Sequence, residues 1–257
     1  MRIRQILSTF AFVLLLAAPA DGPARAEGAA ADAAADAYAQ ARAAMVSRIL
    51  LYGRSLQQRT GRKLPDARVL DAMRKVPRHE FVPARFRPHA YRDTPLPLGH
   101  GQSLSQPFII ALMTDLGRVR RTDVVFETGT GAGYHTAILA LLARRVVSVE
   151  VIAPLALKAS AALRRLGYAN AAVHLGDGYY GWKAGGPYDV MIIKEAVDDI
   201  PPPLLAQLKP GGRMVVPIGP RDGTQILTLV EKGADGRLRH TRILPVRFTP
   251  LQGGERI

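Results

Sequence analysis

The sequence predicts an α/β protein with a doubly wound, mostly parallel seven-stranded sheet and an N-terminal helical extension. Three observations support this. Seven short runs rich in β-branched and apolar residues are spaced along the second half of the chain. Helical patterns follow the first two runs, and the first run ends in a glycine-rich turn that opens directly into its helix. A length of 257 residues suits one large domain with attachments.

The glycine-rich turn lies in residues 124–134, VVFETGTGAGY. The run before it has the composition of a buried parallel strand, and three glycines, Gly129, Gly131 and Gly133, then break it. A strand, turn and helix in this order place backbone N–H groups at the carboxyl edge of a sheet, where open α/β folds bind ligands. The stretch therefore predicts a cofactor site, unless the glycines only allow the helix and strand to pack closely.

The glycine spacing indicates which cofactor this is. In a dinucleotide fingerprint the third glycine comes one residue later than here, at the position of Tyr134, and no hydride-transfer site is evident. The loop resembles the first motif of S-adenosylmethionine-dependent methyltransferases, and that cofactor ends in an amino acid. Glu127 is expected to favour the ammonium group and the loop amides the carboxylate. The predicted cofactor residues of this loop are Glu127, Gly129, Thr130, Gly131 and Gly133.

Residues 1–26 have the pattern of an export signal. A basic start with Arg2 and Arg4 precedes an apolar stretch, residues 6–18, that is too short to span a membrane, and Ala24-Arg25-Ala26 resembles a cleavage site. We therefore expect a periplasmic or secreted protein with no stable membrane insertion after cleavage. An uncleaved anchor is one alternative. Translation from Met45, which gives a cytoplasmic protein, is another.

The composition excludes several classes of site. The 35 basic and 21 acidic residues give a net charge of +14, but the arginines are scattered, so we expect a solvated basic surface and no nucleic-acid partner. There is no cysteine, which excludes disulfides, thiolate metal sites and thiol catalysis. The six histidines show no metal-ligand spacing and are interpreted as structural or surface residues, so no metal is predicted. We expect a monomer.

The chain before the glycine turn divides into two regions. Residues 27–44 are alanine-rich and suit a solvated linker that grades into a helix, and residues 45–117 form a region of helices and a substrate loop. Asp66 is a candidate cap for the second of these helices. Residues 118–257 form the predicted cofactor-binding core.

A proline-punctuated segment precedes the core and is expected to be irregular until Gln106 or Pro107 opens an amphipathic helix. Permissive backbone and hydroxyl groups are concentrated just before that helix, at Gly99, Gly101, Ser103 and Ser105. Such a place can hold an anion. The alternative is an ordinary surface loop in which Ser105 is the N-cap.

Six pieces of the sequence together carry a family resemblance. They are VPRHEFVP, GHGQSLSQP, ETGTGAGYHTAILA, GDGYYGW, LKPGGRMVVPIG and VRFTPL. Their order and spacing resemble protein-L-isoaspartate O-methyltransferases over about residues 45–251, and the SLSQP loop is the most specific of them. The resemblance implies a class I methyltransferase sheet and S-adenosylmethionine as donor. It also implies methyl esterification of the α-carboxylate of L-isoaspartyl residues in damaged proteins, with D-aspartyl residues as a second acceptor.

The same resemblance implies roles for individual residues. Ser105 is expected to hold the acceptor carboxylate as the catalytic residue, assisted by Ser103 and Gln106. Glu150, at the end of the second strand, is expected to accept the ribose hydroxyls, although a strand-end carboxylate can also simply face solvent. The adenine-side loop is expected at Gly176, Asp177 and Gly178, which in isolation is only a turn signal.

One stretch departs from the family pattern. Where the family has small residues after the fourth strand, this chain has Lys194-Glu195-Ala196 followed by two aspartates. We expect Lys194 and Glu195 to pair with each other and to narrow the acceptor pocket, and we assign both to substrate binding. The departure leaves two alternatives open: a methyltransferase for another carboxylate or hydroxyl acceptor, and a repurposed or inactive module that binds the donor.

Overall fold

The computed structural model describes residues 23–60 and 65–253. The chain divides into two units, with the boundary between residues 38 and 39. The described residues of the first unit belong to a long helix, α1 (Pro23–Thr60), which continues into the second. Residues 1–22 of the predicted export signal lie outside the described residues.

Helix α2 (Ala67–Lys75) begins where the sequence predicted. Asp66 is its N-cap, and the Asp66 carboxylate accepts a 2.8 Å hydrogen bond from the Arg68 amide. The helix buries one apolar face, formed by Val69, Leu70, Ala72 and Met73. Two short 3₁₀ segments follow, Arg78–Phe81 and Ala84–His89.

The segment before the third helix is more regular than predicted. Strands β1 (Leu96–Gly99) and β2 (Gln102–Leu104) form a two-stranded antiparallel hairpin, so the expectation of an irregular chain up to Gln106 is wrong. The hairpin closes because Gly99 and Gly101 adopt φ angles of 93° and 69°, in the left-handed region that glycine tolerates.

Helix α3 (Pro107–Gly117) begins after the hairpin, with Pro107 in its first turn. Its N-cap is Gln106, so the alternative interpretation of Ser105 as the N-cap is wrong. A carboxylate from outside the helix caps it instead, because the Phe108 amide donates a 2.8 Å hydrogen bond to Asp93 Oδ1.

The predicted seven-stranded sheet is confirmed. Its strands are β3 (Val124–Thr128), β4 (Arg145–Glu150), β5 (Ala171–Leu175), β6 (Tyr188–Ile192), β7 (Leu208–Ile218), β8 (Gln225–Lys232) and β9 (Leu238–Val246). The strand order is β5-β4-β3-β6-β7-β8-β9. The first five strands in this order are parallel, and β8 and β9 are added antiparallel. The helices between strands are α4 (Tyr134–Leu142), α5 (Ala153–Arg165) and α6 (Pro202–Gln207).

The strand order places a ligand site at the end of β3. From β3 the chain moves outward to β4 and β5, and it then returns to the other side of β3 to form β6. A crevice opens at such a switch point, outside the carboxyl ends of the strands. All five residues of β3 are buried, and the register places Glu127 between Ser148 on β4 and Ile192 on β6.

Within residues 23–60 and 65–253, we find no helix that combines the length and the apolar character needed to cross a membrane.

Candidate functional site

A cavity of about 420 Å³ opens at the carboxyl edge of the sheet. The glycine loop after β3 forms one wall, and the segment from β2 to the start of α3 forms another. The ends of β4 and β6 and the segment after β9 complete the lining. The main lining ranges are residues 102–106, 128–132, 149–152, 194–195 and 245–252.

The glycine loop is held by the carboxylate that ends β4. Gly129 and Gly131 adopt φ angles of 59° and 58°, which an L side chain would strain. The Gly131 amide donates a 2.7 Å hydrogen bond to Glu150 Oε2, and the Ile152 amide donates a 3.0 Å bond to Glu150 Oε1. Glu150 also lines the cavity. One residue therefore holds the glycine loop in place and contributes to the surface of the site.

Glu127 lies beneath the glycine loop and has no exposed surface. The Ser148 hydroxyl donates to its Oε2 at 2.7 Å, and the Thr136 hydroxyl donates to the same oxygen. Lys194 Nζ lies 2.7 Å from Oε1. Thr130 extends this buried network through a 2.6 Å hydrogen bond to Ser148. The Glu127 carboxylate is therefore engaged inside the protein and is not among the groups that line the cavity.

Lys194 and Glu195 do not take each other as the main partner, which corrects the expectation from the sequence. Lys194 turns inward to Glu127, whereas Glu195 Oε2 accepts a hydrogen bond from the Thr128 hydroxyl. Glu195 Oε1 lies so close to Gly129 that a methyl group there would overlap it. Burial raises the pKa of Glu195 to about 7, against the opposing effects of the Thr128 hydrogen bond and Lys194.

His135 lines the cavity, although the sequence analysis treated it as structural or surface. Its Nε2 lies 2.8 Å from the Thr114 hydroxyl, and its Nδ1 lies 3.9 Å from Glu127 Oε1. Burial, with the nearby Lys194 ammonium, holds the pKa of His135 well below its usual value. The ring is therefore neutral at pH 7. Its place in the first turn of α4, beside the glycine loop, is the sequence signal that could have identified it.

The segment between β2 and α3 presents Ser103, Ser105 and Gln106, the three residues predicted there, to the same cavity. In the described part of the chain the Ser105 hydroxyl has no hydrogen-bond partner, and the residue is half-buried. The backbone carbonyl of Ser105 is held in place, because Arg78 Nη2 donates a 2.8 Å hydrogen bond to it. The hydroxyl of Ser105 is thus free to bind a ligand while its main chain is fixed.

Arg78 is a site residue that the sequence does not reveal. It is completely buried, donates a second 2.8 Å hydrogen bond from Nε to the Ala90 carbonyl, and places its guanidinium carbon 4.8 Å from the centre of the Tyr134 ring. Burial lowers the pKa of Arg78 to about 10, so the side chain remains charged at neutral pH. Arg78 therefore connects the Ser105 loop to the first residue of α4.

Asp93 is the second missed residue on this wall. Its Oδ2 accepts a 2.6 Å hydrogen bond from Gln106 Nε2, while its Oδ1 caps α3 through the Phe108 amide. One carboxylate therefore fixes both the start of the helix and a side chain that faces the cavity.

The predicted adenine-side loop touches the cavity only at its end. Gly178 lines the cavity and packs on Thr128, where a Cβ would meet a side-chain carbon at 2.9 Å. Asp177 accepts a 2.9 Å hydrogen bond from the Tyr179 amide and caps a short 3₁₀ turn. Gly133, Gly176 and Asp177 lie outside the lining and shape the backbone next to it.

Among the residues that the structure describes, no group of three or more His, Asp or Glu side chains is arranged to hold a metal ion. The cavity suits a ligand with an amino-acid end and a ribose. Its glycine wall leaves room for close backbone approach, and Glu150 offers carboxylate oxygens at the end of β4.

Comparison with known proteins assigns the family. The family model for protein-L-isoaspartate(D-aspartate) O-methyltransferase matches residues 55–256. Protein-L-isoaspartate O-methyltransferase 1 of Cupriavidus necator is 52% identical over 212 residues, which cover 82% of this chain and 82% of the relative. Protein-L-isoaspartate O-methyltransferase 2 of Syntrophobacter fumaroxidans is 50% identical over 251 residues, which cover 98% of this chain and 99% of the relative.

Solved structures agree with this assignment. A structure named protein-L-isoaspartate O-methyltransferase matches with a TM-score of 0.70 at 29% identity, covering 82% of this chain and 66% of that chain. A Plasmodium falciparum structure with the same family name, solved with S-adenosyl-L-homocysteine, matches with a TM-score of 0.64. It covers 78% of this chain and 98% of that chain, and at 22% identity its likeness shows the fold alone. The chain belongs to the protein-L-isoaspartate(D-aspartate) O-methyltransferase family.

Proposed function

We propose that this chain transfers the methyl group of S-adenosylmethionine to the α-carboxylate of L-isoaspartyl residues, and to the side-chain carboxylate of D-aspartyl residues, in damaged proteins and so initiates their repair. The observation that carries the proposal is that the glycine loop and the free Ser105 hydroxyl line the same cavity. The family match covers both walls, because it extends over residues 55–256.

The donor supplies a methyl group already activated by a sulfonium. An α-carboxylate is ionised at neutral pH, so the chain does not need a general base. What the chain must do is align the acceptor carboxylate and exclude water. Ser105 donates its hydroxyl hydrogen to the acceptor carboxylate, and Ser103 and Gln106 flank it on the same wall.

The donor side of the proposal uses residues of the other wall. Gly129, Thr130 and Gly131 allow the backbone to approach the donor closely, and Glu150 accepts hydrogen bonds from the ribose hydroxyls. A carboxylate has lone pairs for these bonds in addition to its two bonds from backbone amides. Gly178 closes the adenine side, with Gly176 and Asp177 shaping the turn behind it.

The test measures transfer of a labelled methyl group from S-adenosylmethionine to two peptides. One contains an isoaspartyl residue, and the other has the same sequence with a normal aspartyl residue. We expect label on the isoaspartyl peptide alone. Ser105→Ala removes one hydrogen bond to a charged group, so we expect turnover to fall about 10- to 100-fold with the affinity for S-adenosylhomocysteine unchanged. Ser160→Ala is the control, because Ser160 is on the surface of α5 and bonds only Arg164 there.

Two results would remove parts of this proposal. Full activity in Ser105→Ala excludes Ser105 from the mechanism. No label on either peptide, from folded protein that binds S-adenosylhomocysteine, excludes the repair activity and leaves a module that binds the donor.

We also propose that the chain is exported and acts as a monomer. The support for export is the basic, apolar and small-residue pattern of residues 1–26. N-terminal peptide mass spectrometry of the native protein tests it, and we expect a mature start at Glu27. A start at Met45 contradicts export. Sedimentation velocity tests the monomer, which a dimer at micromolar concentration contradicts.

A further inference from the structure

We propose that Glu195 binds the α-ammonium group at the amino-acid end of the donor, the role that the sequence analysis gave to Glu127. The inference rests on the proposed function for one point, which is that the donor is S-adenosylmethionine. It assigns a binding role to one of the two charged residues with which this chain departs from the family pattern.

The first step is that Glu127 cannot reach a ligand. Its side chain has no exposed surface, its Oε2 accepts from two hydroxyl groups, and its Oε1 is paired with Lys194 at 2.7 Å. Removing this carboxylate from its partners would leave the Lys194 ammonium buried without a counter-charge, which is energetically costly.

The second step is that Glu195 is in the right place. It lines the cavity, and its Oε1 lies against Gly129, the first glycine of the loop that the donor's amino-acid end must approach. In the described chain its carboxylate takes a single hydrogen bond, from the Thr128 hydroxyl. Since an ionised carboxylate offers about four acceptor sites, most of its capacity is available to a ligand.

The third step is the local charge. Three carboxylates, Glu127, Glu150 and Glu195, lie around the start of the glycine loop, and one ammonium group, that of Lys194, lies among them. With all four groups ionised, three negative charges face one positive charge, so the site has an excess of negative charge. A cation that enters beside Glu195 relieves this excess, and an ammonium group has three donors to do so.

Calorimetry with three ligands on the full chain tests the assignment. S-adenosylmethionine carries an ammonium and a sulfonium, S-adenosylhomocysteine carries the ammonium alone, and 5′-methylthioadenosine carries neither. We expect Glu195→Gln to weaken the first two ligands by the same factor, about 10-fold or more, and to leave 5′-methylthioadenosine unchanged. Asp198→Asn is the matched control: it makes the same charge change three residues later, at a side chain that is 60% exposed.

Each of the other patterns overturns the proposal. A loss confined to S-adenosylmethionine means that Glu195 acts on the sulfonium. An equal loss for all three ligands means that Glu195 only supports the loop, and no loss means that it does not contact the donor. The 5′-methylthioadenosine affinity also reports whether the variant is folded. Because no acceptor is present, failure of methyl transfer to isoaspartyl peptides would leave this result unaffected.

Discussion

The two walls of the cavity are supported in different ways. The glycine loop, residues 128–132, lies over a buried network in which side chains bond side chains, centred on Glu127. The acceptor loop, residues 102–106, is supported mainly through its backbone, because Arg78 donates to the Ser105 carbonyl. Asp93 contributes from the same side by capping the helix that follows.

Because of this difference, we expect substitutions beneath the glycine loop to affect mainly stability and substitutions that support the acceptor loop to affect mainly catalysis. A side-chain network in a low-dielectric interior depends on the identity of every member, so its loss should be seen first in the free energy of unfolding. Support through the Ser105 carbonyl leaves the Ser103 and Ser105 side chains free, whereas the Gln106 side chain is held by Asp93. Ser103 and Ser105 can therefore face a substrate, and damage to their support should be seen first in turnover.

Glu127→Ala should give the largest effect and tests the first half of this comparison. The substitution leaves the Lys194 ammonium, which is only 10% exposed, without its partner, so we expect unfolding to cost about 3–5 kcal/mol less. Urea denaturation measures this. Asp71→Asn is the control: it breaks a pair of the same 2.7 Å length whose members are 60% and 49% exposed, and we expect a change under about 1 kcal/mol. Equal effects of the two substitutions would contradict a buried network.

Arg78→Lys tests the second half. Lysine keeps the charge but lacks the planar fork that reaches both the Ala90 and Ser105 carbonyls. We expect turnover to fall about 10-fold, because the substitution removes one charge-assisted hydrogen bond. The affinity for S-adenosylhomocysteine should stay unchanged. Arg85→Lys is the matched control. Arg85 also lies 4.8 Å from an aromatic ring, that of Phe86, but it is exposed.

A parallel loss of donor affinity in Arg78→Lys would mean that Arg78 supports the whole fold and not one wall. The comparison between the walls would then fail for this residue, and Arg78 would lose its role in positioning Ser105.

The sequence predicts the glycine wall better than the acceptor wall for a physical reason. Buried parallel strands are continuous apolar runs, and a glycine-rich strand-to-helix turn is a local pattern, so both can be identified without knowing the fold. The contacts of Arg78 and Asp93 join residues 12 to 27 positions apart, and the two strands of the hairpin are only four and three residues long. Nothing in VPRHEFVP indicates which carbonyls a buried arginine will reach.

Lys194 shows the same limit within the core. The sequence identifies two adjacent charges at the end of β6, and their pairing with each other is the economical expectation. The sheet register instead places β6 beside β3, so that Lys194 faces Glu127 across the two strands. Which of two neighbouring side chains turns inward depends on this register, which composition does not fix.

Glu195→Gln should change stability least near pH 4, and it tests where the buried network ends. Burial raises the pKa of Glu195 from 4.5 to about 7. A carboxyl group with a raised pKa in the folded protein stabilises it most when protonated, so this contribution is fully present below about pH 4.5 and is lost as the pH rises through about 7. Urea denaturation should therefore find wild type and variant similarly stable near pH 4 and the variant more stable near pH 8. Asp198→Asn, at a side chain that is 60% exposed, is the control. A variant that is less stable near pH 8 would mean that ionised Glu195 is stabilised by Lys194 and Thr128, which would make it a member of the network that Glu127 centres.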